Sequence, residues 1–321
     1  MNPRIIDHII ERKHDSMNQA PHSPTSSPDN NLLLDARRYR GMDRQSLGSA
    51  YDNTGAVLDS PDWLQRWRER SAVLRAGHDR LLDIPYGDGE RQKLDYFACG
   101  KAQAPLFVFL HGGYWQRNSR DMFSFVAEGP LAHGFDVAVV GYTLAPQASL
   151  HAILMECHAA LDYLMVADTS TGDMRFDRDQ LFVGGWSAGG HLATTLSCSR
   201  TDIRGVLSIS GIFDLEPVAL CALNDKLQLS MEEAALLSPL HRVASSQTTV
   251  CAAVGTRELP ELQRQSQNYL EAARSVNAPV WMEPIPDRNH FSILDELYLS
   301  DGKLVQALCR LKDCCVIPSP N

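Results

Sequence analysis

From residue 81 onward the chain alternates short apolar runs with longer amphipathic stretches. Leu81–Tyr86 and Lys93–Phe97 flank Gly87-Asp88-Gly89, a spacing that predicts a β-hairpin. Leu106–Leu110 is apolar without a break, as in a strand covered on both faces. The same reading predicts a helix over Arg120–Ala132, a strand over Phe135–Val140, a helix over Leu150–Met165 and a strand over Gln180–Val183. A helix from about His191 and a strand over Gly205–Ile209 follow. Beyond them it predicts a strand at Thr248–Val254, a helix at Glu261–Val276, a strand at Val280–Ile285 and a final helix at Ile293–Leu311. Antiparallel entry strands followed by β-α alternation imply an α/β protein, with a mostly parallel central sheet and helices on both faces. Residues 211–246 interrupt that alternation. Leu220, Leu223, Leu227, Leu229, Leu236 and Leu237 predict a short helical cap over the carboxyl edge of the sheet, suited to a small or flat substrate.

The region before residue 81 divides in two. Residues 1–31 are rich in Pro, Ser, Asn and His and are expected to form a disordered tail, with Met17 a second candidate start. Residues 32–321 then read as one domain. Within it, Tyr39, Tyr51, Trp63 and Trp67 recur in a helical pattern, and Asp62 is the expected N-cap of a helix over Trp63–Arg75. Such aromatics usually serve packing; Tyr51 and Trp63 are the two that would wall a substrate site.

Composition narrows the class. The 321 residues are 44% hydrophobic and 21% charged, as in globular proteins, and the net charge of −9 is wrong for nucleic acid or an anionic membrane. No apolar run approaches the ~20 residues that cross a bilayer. Ile5-Ile6 and Ile9-Ile10 are broken by charged residues, so no secretory signal is expected. The eight cysteines form no C-x-x-C pair, which fits free thiols in a reducing cytoplasm.

Candidate chemistry sits at strand ends. Gly185-Trp186-Ser187-Ala188-Gly189 lies between an apolar strand and a helix, the context of a nucleophile elbow; taken alone it is equally a glycine-rich helix cap. His111-Gly112-Gly113-Tyr114-Trp115 directly follows Leu106–Leu110. A glycine-rich loop there can aim backbone N–H groups at a developing oxyanion, with Gly112, Gly113 and Tyr114 on the loop and Ala188 after the serine as the candidate residues. His111 itself reads as a brace for the loop. His290, after the last strand, stands where the chain order nucleophile, acid, histidine would put the base. For the acid, Glu258 after the Thr248–Val254 strand leads, with Asp214 its main rival and Glu261 and Asp287 behind. Trp115 and Trp186 are candidate pocket walls.

These motifs, with the Gly255–Ser266 segment, resemble the arylformamidase (kynurenine formamidase) branch of the α/β-hydrolase fold, near the hormone-sensitive-lipase-like esterases. The resemblance runs from about Tyr39 to the C-terminal helix. It implies Ser187 as nucleophile, His290 as base, Glu258 where an aspartate is usual, and an oxyanion loop at Gly112–Tyr114. Trp186 also departs from the smaller or polar residue common there. The implied activity is serine-dependent hydrolysis of a small aryl formamide or ester through an acyl-enzyme, with no metal or organic cofactor. A general carboxylesterase and a non-catalytic binding protein are the alternatives. The expected partners are a small-molecule substrate, no nucleic acid and no membrane, with a homodimer compatible.

Overall fold

A computed structural model describes residues 38–78, 81–166 and 174–314. The expected disordered tail, and with it the choice between Met1 and Met17, lies outside the described residues. Eight strands form one sheet in the order β1-β2-β4-β3-β5-β6-β7-β8. They are β1 (Ile84–Pro85), β2 (Lys93–Phe97), β3 (Ala104–Leu110), β4 (Asp136–Val140), β5 (Phe176–Trp186), β6 (Ile203–Ile209), β7 (Thr249–Gly255) and β8 (Val280–Ile285). β2 runs antiparallel to β1 and β4, and the six strands from β3 to β8 are parallel. The mostly parallel sheet is the one the β-α alternation predicts, and the sheet of an α/β-hydrolase is what the resemblance implies.

Side chains alternate across it. Leu106, Val108 and Leu110 of β3 enter one core, whereas Phe107 and Phe109 enter the other. The first core is closed by α2 (Leu150–Val166), α3 (Ala188–Ser197) and α4 (Pro260–Ser275), the second by α1 (Ser60–Ala76) and α5 (Lys303–Cys314). The segment between β6 and β7 folds as short helices at Glu216–Ala219, Asn224–Leu227 and Met231–Leu237, then a 3-10 turn at Pro239–Ser245. Leu220, Leu227, Leu229 and Leu237 are buried against the first core. No helix among the described residues is long and apolar enough to cross a membrane.

Several predicted boundaries move. The helix of the first aromatic stretch starts at Ser60 with Asp59 as its N-cap residue; Pro61 fits the first turn, and Asp62 lies inside it. Asp59 instead accepts a hydrogen bond from Trp63 Nε1 at 3.0 Å. Arg120–Ala132 is a 3-10 helix to Ala127 followed by one α-turn. The final helix is split: it pauses between Tyr298 and Lys303, where a β-carbon on Gly302 would collide with the Glu296 backbone. β5 begins at Phe176 and continues through Gly184 and Gly185, since a β-carbon at Gly184 would lie 2.7 Å from the Phe107 ring and 2.8 Å from the Leu207 carbonyl oxygen.

Candidate active site

Ser187 joins β5 to α3 with φ 57° and ψ −116°, a conformation rare for any residue but glycine. Its N–H donates to the Ile209 carbonyl at 2.7 Å, which fastens the turn to β6, and the residue is only 2% exposed. Close approach explains the flanking glycines: a β-carbon on Gly189 would overlap the Leu110 carbonyl at the end of β3. Strand, strained serine and helix together have the geometry of a nucleophile elbow.

Beside it, β7 and β8 each deliver a buried titratable side chain on the loop that follows. Glu258 Oε2 lies 2.7 Å from His290 Nδ1, with the two side chains 0% and 4% exposed. The other carboxylate oxygen, Oε1, accepts from the Ser210 hydroxyl at 2.6 Å and from the Gly255 N–H at 2.7 Å. Three donors thus compensate a carboxylate withdrawn from water, as burial of a charge requires. An ionised carboxylate only accepts, so His290 Nδ1 is the donor of this pair. The ring rests 4.8 Å from that of Trp186, whose Nε1 donates to the His290 carbonyl at 2.8 Å. The residue next to Ser187 therefore fixes the histidine loop.

The loop after β3 is wound in the left-handed region over three consecutive residues: Gly113 at φ 121°, Tyr114 at 52° and Trp115 at 57°. Gly113 has no room for a side chain, with the Asn118 amide nitrogen 2.8 Å from where a β-carbon would sit. Asn118 Nδ2 donates to the Gly112 carbonyl at 3.1 Å, and Gln116 Nε2 to the Leu223 carbonyl at 2.8 Å. Among the described residues, no acceptor meets the N–H groups of Gly113, Tyr114 or Ala188. Successive open donors on such a loop form an anion-binding concavity. His111 behaves as the brace expected: fully buried, its ring lies 4.2 Å from Tyr142 in a stack, with Nδ1 2.9 Å from the Gly112 carbonyl. Burial drives its pKa down to about 4, so it is neutral.

Residues 95–268 match the BD-FAE family. Kynurenine formamidase of Salmo salar is 32% identical over 248 residues, covering 72% of this chain and 81% of that protein. The chain belongs to the kynurenine formamidase family. A second relative, kynurenine formamidase of Danio rerio, is 29% identical over 265 residues, covering 76% of this chain and 88% of that protein. Among solved structures, a putative thioesterase from Silicibacter sp. TM1040 superposes with a TM-score of 0.72 at 27% identity, covering 82% of this chain and 98% of that one. The thermostable carboxylesterase EstE1, cloned from a metagenomic library, shares the fold at a TM-score of 0.62 and 16% identity, covering 80% of this chain and 98% of that one. The protein is a hydrolase of the α/β-hydrolase type.

The remaining candidates sort by what their side chains touch. Asp214 turns away from the histidine: Oδ2 accepts from the Tyr39 hydroxyl at 2.7 Å and Oδ1 from the Glu216 N–H at 3.0 Å. Glu261 lies in the first turn of α4 and pairs with Arg264 at 2.6 Å. Asp287 donates its N–H to Thr256 Oγ1 at 3.0 Å. Trp115 and Trp186, expected as pocket walls, are core residues. Trp186 packs with Trp67, Phe123 and Phe291 behind the histidine, and Trp115 is enclosed against His191 at 5.0 Å. Tyr51 and Trp63 are buried packing residues as well. Ser210 was not singled out from the sequence. It holds the Glu258 carboxylate, and its place at the carboxyl end of β6 was the available signal.

Proposed function

We propose that this chain is a serine arylformamidase acting on a small aryl formamide of the N-formylkynurenine kind. The observation that carries the reading is the buried Glu258–His290 hydrogen bond, delivered next to a strained serine whose neighbour Trp186 grips the histidine loop. Ser187 Oγ attacks the formyl carbon while His290 Nε2 takes its proton, and Glu258 stabilises the imidazolium that results. The negative oxygen is received by the N–H groups of Gly113, Tyr114 and Ala188, on a loop opened by Gly112. His290 then protonates the leaving aryl amine as the C–N bond breaks. Water, deprotonated by the same imidazole, attacks the formyl-enzyme and releases formate and the serine.

Residues 211–246 act as the cap in this reading, in one domain that starts at residue 32. The partner is a small molecule rather than nucleic acid or membrane, no metal or organic cofactor takes part, and the enzyme works in the cytoplasm, where a homodimer is compatible with activity. Relatives named as kynurenine formamidases favour the formamide. The likeness to a putative thioesterase, at 27% identity, favours the second reading of a short-chain carboxylesterase with the same machinery. Parallel turnover of N-formylkynurenine, formanilide and short p-nitrophenyl esters separates them. Formamide kcat/KM above that for the esters by about tenfold or more supports the first reading; the reverse order supports the second.

A further inference from the structure

The loop that carries the open N–H groups is gripped by a part of the chain outside the α/β alternation. Tyr114 is a bulky residue held at φ 52°, and its backbone stays there only if its surroundings insist. Its hydroxyl donates to the Tyr51 carbonyl at 2.6 Å and accepts from Asn53 Nδ2 at 3.0 Å. The Tyr51 carbonyl also accepts the Asn53 N–H at 3.0 Å, so both partners of the hydroxyl come from one tight turn. That turn is anchored in its own right. Gln265 Nε2 donates to the Tyr51 hydroxyl at 2.6 Å, and Gln265 Oε1 accepts from the N–H groups of Phe213 and Asp214 at 2.6 and 2.9 Å. Gln265 belongs to α4, the helix that begins two residues after Glu258. One helix thus braces the turn that grips Tyr114 and follows directly from the loop that presents the acid. Asn53 is buried, yet its Oδ1 has no partner. An amide that leaves half its hydrogen-bonding capacity unused in the interior is costly unless the other half matters.

We propose that Asn53 is a positioning residue of the reaction: through the Tyr114 hydroxyl it holds the Tyr114 peptide in the left-handed conformation that aims its N–H at the oxyanion. This rests on the oxyanion role given to the loop above. Loss of the grip lets the peptide relax, and a donor displaced by a fraction of an ångström stabilises the transition state less while ground-state binding barely changes.

The test compares Asn53→Ala, Tyr114→Phe and the double variant with wild type and Ser187→Ala, using formanilide turnover and inhibition by phenyl trifluoromethyl ketone, which forms a tetrahedral adduct with a serine. Each single variant is expected to lose about tenfold or more in kcat with KM within about twofold, and to bind the ketone more weakly by a similar factor. The double variant should lose no more than the worse single, because both break the same contact. Unchanged kcat and ketone binding in folded Asn53→Ala and Tyr114→Phe would overturn the proposal, as would losses confined to KM. If Asn53→Ala does not fold, the nearly isosteric Tyr114→Phe decides; failure of both to fold would show that the contacts hold the fold and not the reaction. Full activity in Ser187→Ala would instead sink the serine mechanism itself, an outcome distinct from any of these.

Discussion

The two edges of the sheet are built on opposite principles. At the amino edge, the starts of β6 and β7 border a groove of about 830 Å³ lined by Ser197–Thr201, Arg242 and Gln247–Thr249, among others. It is a relaxed hollow: Arg200 is paired with Asp162 and Asp202 at 2.5 Å each, and Thr248 Oγ1 reaches the Ile203 carbonyl at 3.3 Å. At the carboxyl edge, Ser187, Ser210, Tyr114 and Trp115 all have positive φ, and a carboxylate and an imidazole are buried against each other. Strained backbone held by neighbours, and titratable groups held out of water, point to the end where chemistry is possible.

That contrast can be broken at several points. Ser187→Ala should lower kcat by about 10³-fold or more with thermal unfolding unchanged, measured on formanilide. Glu258→Gln removes the charge that faces His290 Nδ1 and should cost about 10²–10⁴-fold in kcat, read from the same assay. The third concerns stability. His111 and His191 are fully buried at this edge, and burial lowers both pKa values from 6.5 to about 4. The unfolded chain therefore takes up protons first as pH falls. The stability that comes from keeping these rings neutral is complete above pH 6.5 and drains away toward pH 4, by at most about 3 kcal/mol for each ring. Urea unfolding at pH 7 and pH 5 should show the decline, with a smaller slope in His111→Asn. The smallest effect belongs to the amino edge, where Arg242→Ala should leave kcat/KM within about twofold. A large loss there would erase the distinction between the edges.

Much of this arrangement was legible in the residues themselves. The continuous apolar run of β3 and the glycines around Ser187 report constraints that act locally, and such constraints leave a pattern. Boundaries set by tertiary contact did not. The strand was expected to stop at Val183, because a sequence does not show the Phe107 ring and the Leu207 carbonyl that fill the space beside Gly184. Trp186 looked like a pocket wall for a similar reason: its partners Trp67, Phe123 and Phe291 are distant in the chain and meet it only after the second core closes. Asp214 and Glu258 were rivals because each follows a parallel strand. What separates them is Tyr39, which takes up Asp214 from 175 residues away.

The central claim is that Ser187 is the nucleophile activated by His290, and an active-site-directed fluorophosphonate tests it most directly. Peptide mapping by mass spectrometry should find one stoichiometric adduct, on Ser187, formed at least about 10²-fold more slowly in His290→Ala. An adduct on another residue, or no adduct in an enzyme that still hydrolyses formanilide, would contradict it.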